Sequence, residues 1–225
     1  MFFRLFCAIA IQFPVLAQSL SLNPNQSTFS VVTNRSGIAA KLAHHHLIVA
    51  TNPQVSFTGT LDNLASLEMT FEADAKSLEV DSASQQKAHQ ERLMQLGALP
   101  SPFSEVGESD KEKIKSNMLA KGQLAADSFP KIEARLFRVQ AKPQTIGGVK
   151  FTHAGDLSVT IRGKTVNKLT PLILDIQEKS VNVESMIGFK FSEFEIEPFS
   201  ALLGAIKNAD QFYIYVNSNI LTKKG

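Results

Sequence analysis

Tryptophan is absent from these 225 residues, tyrosine occurs twice, and the single cysteine is Cys7. Without a second thiol, intrachain disulfides and multi-cysteine zinc sites are excluded. Exported domains below about 100 residues lean on such bridges, but a chain about twice that size buries enough surface without them. Charge of one sign is also missing. Lysine and arginine number 23 against 21 acidic residues, and no basic stripe interleaved with aromatics argues for nucleic acid as a partner. Beyond the first 17 residues no apolar run approaches the roughly 18 that a membrane-spanning helix needs. The sequence has no G-x-S-x-G elbow, H-E-x-x-H helix, P-loop or G-x-G-x-x-G turn. A non-enzymatic role without a cofactor is the expectation.

The N-terminus has the pattern of a secretory leader. Arg4 precedes an apolar stretch from Leu5 to Leu16, interrupted by Gln12 and Pro14, and Val15 and Ala17 place small residues at a cleavage site. Residues 1–17 are expected to be a signal peptide, and residues 18–225 a single domain of a periplasmic or secreted protein. Cys7 falls within the leader, so the mature chain would carry no thiol.

Most of the remaining chain alternates with period two, the pattern of strands with one buried face. Leu67, Met69 and Phe71 oppose Glu68, Thr70 and Glu72; Leu157, Val159 and Ile161 oppose Ser158, Thr160 and Arg162. Ile187, Phe189 and Phe191 alternate with Gly188 and Lys190, and Phe212, Ile214 and Val216 with Tyr213 and Tyr215. Further strands are predicted at Thr28–Thr33, Gly37–Ala50, Gln54–Leu61, Ile132–Val139 and Asn167–Asp175. A mainly β fold of about eight strands, closed into an antiparallel barrel, removes both sheet edges; a two-sheet sandwich is the rival. Between two strands, residues 84–124 change character. β-Branched residues thin out over Ser84–Ala98 and Asp110–Leu124, with Leu99-Pro100-Ser101-Pro102 between them. This predicts an α-helical excursion over one end or one wall of the barrel, with Asp110 capping its second helix.

Two features suggest chemistry. Phenylalanine is abundant, at 16 residues, and four of these (Phe2, Phe3, Phe6, Phe13) belong to the leader. Many of the rest fall on or beside apolar strand faces. On the walls of an eight-stranded barrel they either fill a core or line a tube for one apolar ligand. The second feature is His44-His45-His46. On a regular strand His44 and His46 share a face, about 6.6 Å apart, while His45 takes the other. With a carboxylate or His153 from another strand, the pair could chelate zinc or copper. Otherwise one imidazole hydrogen-bonds a polar group or a ligand head.

Several segments resemble the YceI-like family of exported, lipocalin-like barrels, over about Phe29 to Leu221. Ser128-Phe129-Pro130-Lys131-Ile132 and Gly155–Thr165 match its strand and hairpin motifs. Ile196-Glu197-Pro198-Phe199-Ser200-Ala201-Leu202-Leu203-Gly204-Ala205-Ile206-Lys207 is similar to the ending of one branch, and Ala43-His44-His45-His46 to its A-H-D-H element. His45 replaces the acidic residue, and Arg162 stands where a histidine is usual. The resemblance implies a barrel holding a polyisoprenoid or fatty-acid derivative, with a helix near the opening. The predicted ligand-binding residues are Phe29, His44, His46, Leu67, Met69, Phe71, Val159, Phe189, Phe191, Phe199, Phe212 and Ile214. A tail of ~20 carbons would contribute on the order of 16 kcal/mol before ordering costs. The alternatives are transition-metal binding by His44 and His46, and a filled barrel serving as a partner-binding module.

Overall fold

The alternating segments join into one antiparallel sheet. The computed structural model describes residues 19–38, 43–201, 203 and 205–223, so the expected leader lies outside the described residues. The strands are β1 (Ser19–Leu22), β2 (Thr28–Ser36), β3 (His46–Ala50), β4 (Gln54–Thr60), β5 (Asn63–Asp74) and β6 (Leu78–Val80). After the helices α1 (Ala83–Gln95) and α2 (Glu108–Leu119) come β7 (Lys131–Ile146), β8 (Val149–Ile161), β9 (Lys164–Ile176), β10 (Ser180–Lys190), β11 (Ser200–Ala201) and β12 (Ile206–Lys223). The rival sandwich needs two sheets, and all twelve strands belong to one.

The expected count of about eight strands is corrected to twelve among the described residues, and the excess has a local cause. Three long strands are broken at corners, and β11 is a short addition paired with β12. β1 and β2 pair with successive stretches of β12, separated by a 3-10 turn at Pro24–Gln26. β3 pairs with β6, and β4 with β5, so residues 46–60 and 63–80 form one bent hairpin. At its corner residues 51–53 include Pro53, which has no N–H for a ladder. The opposite arm folds into a 3-10 turn at Ala75–Ser77, where the Asp74 carboxylate accepts the Lys76 N–H at 2.7 Å. The Thr51 hydroxyl donates to the Ser77 carbonyl at 2.8 Å and ties the two arms together.

The hydrogen-bonded path runs β4-β5-β7-β8-β9-β10-β12-β2-β3-β6. Its ends, β4 and β6, are therefore arms of the same bent hairpin. The sheet is curled like a barrel, but its ladder is interrupted at the corner, and this corrects the expectation of unbroken closure. The strand predicted from Gly37 begins only at His46; residues 39–42 within that prediction lie outside the described residues.

The helical excursion covers both a wall and an end. α1 buries Leu93, which with Leu96, Ala98 and Leu99 packs on the outward row Val32, Leu47, Val49, Phe151 and Tyr215. Tyr215, expected on the face opposite the apolar row, is 1% exposed. Its hydroxyl donates to Glu184, which also takes two hydrogen bonds from the Arg92 guanidinium of α1. Burial and the neighbouring Glu184 carboxylate push the Tyr215 phenol well above its ordinary pKa. Ile114 and Met118 of α2 instead pack near Ile48, Leu78 and Val80. Asp110 does not cap that helix: Gly107 does, and Asp110 sits in the first turn, paired with Lys113.

Candidate functional site: an apolar cavity with a polar mouth

The inside of the curled sheet is divided by level. At one end Leu136, Val139, Leu172, Val181, Val183 and Ile220 form a solid plug, joined by Leu20, Phe57, Leu61 and Leu64. Above it lies a cavity of about 250 Å³. Its walls come from alternate residues of several strands: Phe29, Val31 and Thr33 on β2, Met69, Phe71 and Ala73 on β5, Leu157, Val159 and Ile161 on β8, and Phe212, Ile214 and Val216 on β12. α2 and the segment after it close one side with Ile114, Met118 and Leu124.

Nine of the twelve predicted residues border this cavity: Phe29, His46, Met69, Phe71, Val159, Phe191, Phe199, Phe212 and Ile214. Three do not. Phe189 is fully buried, packed against Phe194 and Phe212 with centroids 5.7 and 6.0 Å away, and it carries the Lys168 ammonium 4.4 Å over its ring. Leu67 is buried on β5, next to the irregular pairing at Gly59. His44 precedes β3 and its Nδ1 meets the Ser104 hydroxyl at 2.7 Å. Sequence reasoning missed Ile48, Ile132, Phe194 and Ile196, along with the whole contribution of α2. Val31 and Ile48 share the inward face, a parity that was readable once the start of β3 was known.

The polar end of the cavity is built around Asp81. Its carboxylate is 1% exposed, and the residue occupies the left-handed region at φ 52°. Oδ1 accepts the Leu47 N–H and the Gln86 amide, each at 2.9 Å, and Oδ2 meets Nδ1 of His46 at 2.7 Å. A carboxylate can only accept, so the proton of this tautomer is on Nδ1. Nε2 is then the free position: an acceptor in the neutral ring and a donor in the imidazolium. No other hydrogen bond fixes it among the described residues. Thr33, Asn117 and Asn208 are further polar residues at the lining.

The three consecutive histidines do different things because the strand starts only at the third. His45 is buried, with Nδ1 at 2.9 Å from the Asn34 side-chain oxygen and Nε2 at 3.3 Å from the Ser101 hydroxyl. Burial, then Arg35 and the adjacent histidines, hold its pKa below the ordinary imidazole value. His44 and His46 rings lie 6.3 Å apart, yet no group of three metal-ligating side chains occurs among the described residues. His153, the suggested third ligand, pairs with Ala141 and Leu172 towards the plugged end.

A curled antiparallel sheet around an apolar cavity defines the structural class, and solved structures share its fold. BcnA of Burkholderia cenocepacia matches with a TM-score of 0.57 at 12% identity, over 89% of this chain and 99% of that one. A polyisoprenoid binding domain from Saccharophagus degradans, implicated in plant cell wall breakdown, matches at 0.51 and 7%, over 92% and 99%. The Campylobacter jejuni YCEI protein matches at 0.45 and 9%, over 76% and 83%. No known family profile and no curated protein sequence matches the chain. The likeness to BcnA and to the polyisoprenoid binding domain thus holds at the level of fold.

Proposed function

We propose that this chain is an exported, non-enzymatic YceI-like binding protein for a single-tailed amphiphile, with the tail in the cavity and the head beside His46. The observation that carries this reading is one apolar cavity with an imidazole at its polar end, held by the buried Asp81. Apolar walls favour hydrocarbon over water at about 0.8 kcal/mol per methylene. With Nδ1 held by the carboxylate, Nε2 accepts from a hydroxyl or carboxylic-acid head in the neutral ring and donates to a carbonyl or carboxylate head in the imidazolium. The leader pattern of residues 1–17 supports export to the periplasm or beyond, where an insoluble ligand needs a carrier.

Native mass spectrometry of the purified protein should show a retained lipid-like mass that organic extraction removes. Replacing His46→Gln should weaken rebinding of a fatty acid or isoprenoid alcohol about fivefold, the equivalent of ~1 kcal/mol for one hydrogen bond. A protein that neither retains nor rebinds any such amphiphile would overturn the proposal.

A further inference from the structure

We infer that the lumen is blind, and that its plugged lower half limits the bound tail to about ten carbons. The inference rests on the amphiphile-binding reading and adds a chain-length limit to it.

His46 pairs with Thr33, and Thr33 with Phe212, so the head contact lies at the level of Phe212. Descending β12 on its inward face, Phe212, Ile214 and Val216 border the cavity. The next two inward residues, Ser218 and Ile220, are 0% and 3% exposed and do not border it. From Phe212 to Val216 the strand advances about 13 Å at ~3.3 Å per residue. With strands tilted ~35–45° to a barrel axis, that is about 10 Å of depth. A zigzag chain of ~1.5 Å bonds advances about 1.25 Å per carbon, so eight to ten methylenes reach the floor.

On the other strands, too, the cavity ends where the plug begins. Met69 is the lowest cavity residue on β5 and Leu157 the lowest on β8, and both also pack onto the plug. Phe29, which pairs with Val216, meets Phe71 with ring centroids 5.0 Å apart. Together these side chains make a floor. Met69 and Leu157 are its specificity-determining residues, because removing their ends would join the cavity to space now held by the plug.

The test is a tail-length series of saturated fatty acids, from about six to about twenty carbons, titrated against the wild-type protein. Affinity should climb about fourfold per methylene until roughly ten carbons, then level off. In Met69→Ala/Leu157→Ala the plateau should move to longer tails, and in Val216→Phe to shorter ones, with thermal melting confirming that each variant is folded. Val216→Phe keeps the test decisive if the double variant does not fold. Affinity that keeps rising to twenty carbons in the wild type, or a plateau unmoved in folded variants, would overturn the length limit alone. Binding of no acid at any length would instead remove the amphiphile reading beneath it.

Discussion

The two halves of the lumen are built on the same alternation, yet one is open and the other solid. The upper half is faced by Phe29, Phe71, Phe191, Phe194, Phe199 and Phe212, the lower by Leu, Val and Ile with Phe57 at its margin. Flat rings meet at tilted angles, as Phe191 and Phe212 do at 4.8 Å and 40°, while branched aliphatic side chains interdigitate. The boundaries differ as well. Tight turns with both residues at positive φ occur at each end, Gly147-Gly148 below and Arg162-Gly163 above, so they do not make the difference. The upper half is held apart by α2, by the 3-10 turn at Phe191–Phe194 and by the corner between β5 and β6. A period-two pattern therefore specifies which residues face inward; the bracing around them determines whether they meet.

The largest effect should come from core deletions on either side of the floor. Leu172→Ala, in the plug and 1% exposed, is expected to cost about 3 kcal/mol, through lost burial and a new cavity. Ile214→Ala, on a wall that already borders the cavity, should cost about 1 kcal/mol, because little new void is created. Urea unfolding measures both, and equal losses would break the contrast between the halves.

Acid should separate the coverings from the plug. Burial holds both His45 and His89 below the ordinary imidazole value, against the opposing pull of the Glu184 carboxylate on His89. His45 secures the segment around Ser101, and His89 of α1 bonds the Thr28 hydroxyl. Both rings are neutral in the fold, while the unfolded imidazole takes a proton near pH ~6.5. Their contribution is complete above that pH and is lost as the pH falls through it towards the depressed folded values. His153 shifts in the same direction at the lower end, where it is more exposed. Melting temperature should fall below about pH 6.5, and hydrogen exchange should rise first in α1 and residues 96–103. An even rise that includes β9 and β10 would show that the coverings and plug open together.

The smallest effect is expected at Ser218. Its hydroxyl is fully buried between Val216 and Ile220 on the inward face of β12, without a hydrogen-bond partner among the described residues. Ser218→Ala should raise stability by about 1 kcal/mol, since an unpaired buried hydroxyl carries a desolvation cost of this order. Loss of stability on that substitution would mean the hydroxyl is satisfied in solution, and the floor would then be less dry than drawn here.

The strand rows were legible because each repeats an apolar residue every second position for at least five residues, as at Leu67–Phe71 and Phe212–Val216. Phe189 was correctly given to that pattern but not to the cavity, because Phe194 and Phe212 pack against it, and no local rule reports a neighbour from a later turn. The surroundings of the histidine run were not legible for a similar reason. Its geometry depends on Asn34, Ser101, Ser104 and Asp81, all distant in sequence, and the regular strand starts only at His46. A helix near the opening was expected, but which residues of α2 reach the cavity was not legible, since its polar residues outnumber Ile114 and Met118.

Composition and alternation alone settled that this is a mainly β chain, that inward rows rich in phenylalanine exist, and that no intrachain disulfide bridges hold it. Those properties follow from local chemistry: side-chain period, turn residues and the thiol count. Tertiary structure decided where the wall bends, which half of the interior stays open, and that His46 alone of its trio borders the opening with Asp81 behind it. Such features arise from contacts between residues far apart in the chain, and their energies depend on shape and burial that no single segment encodes.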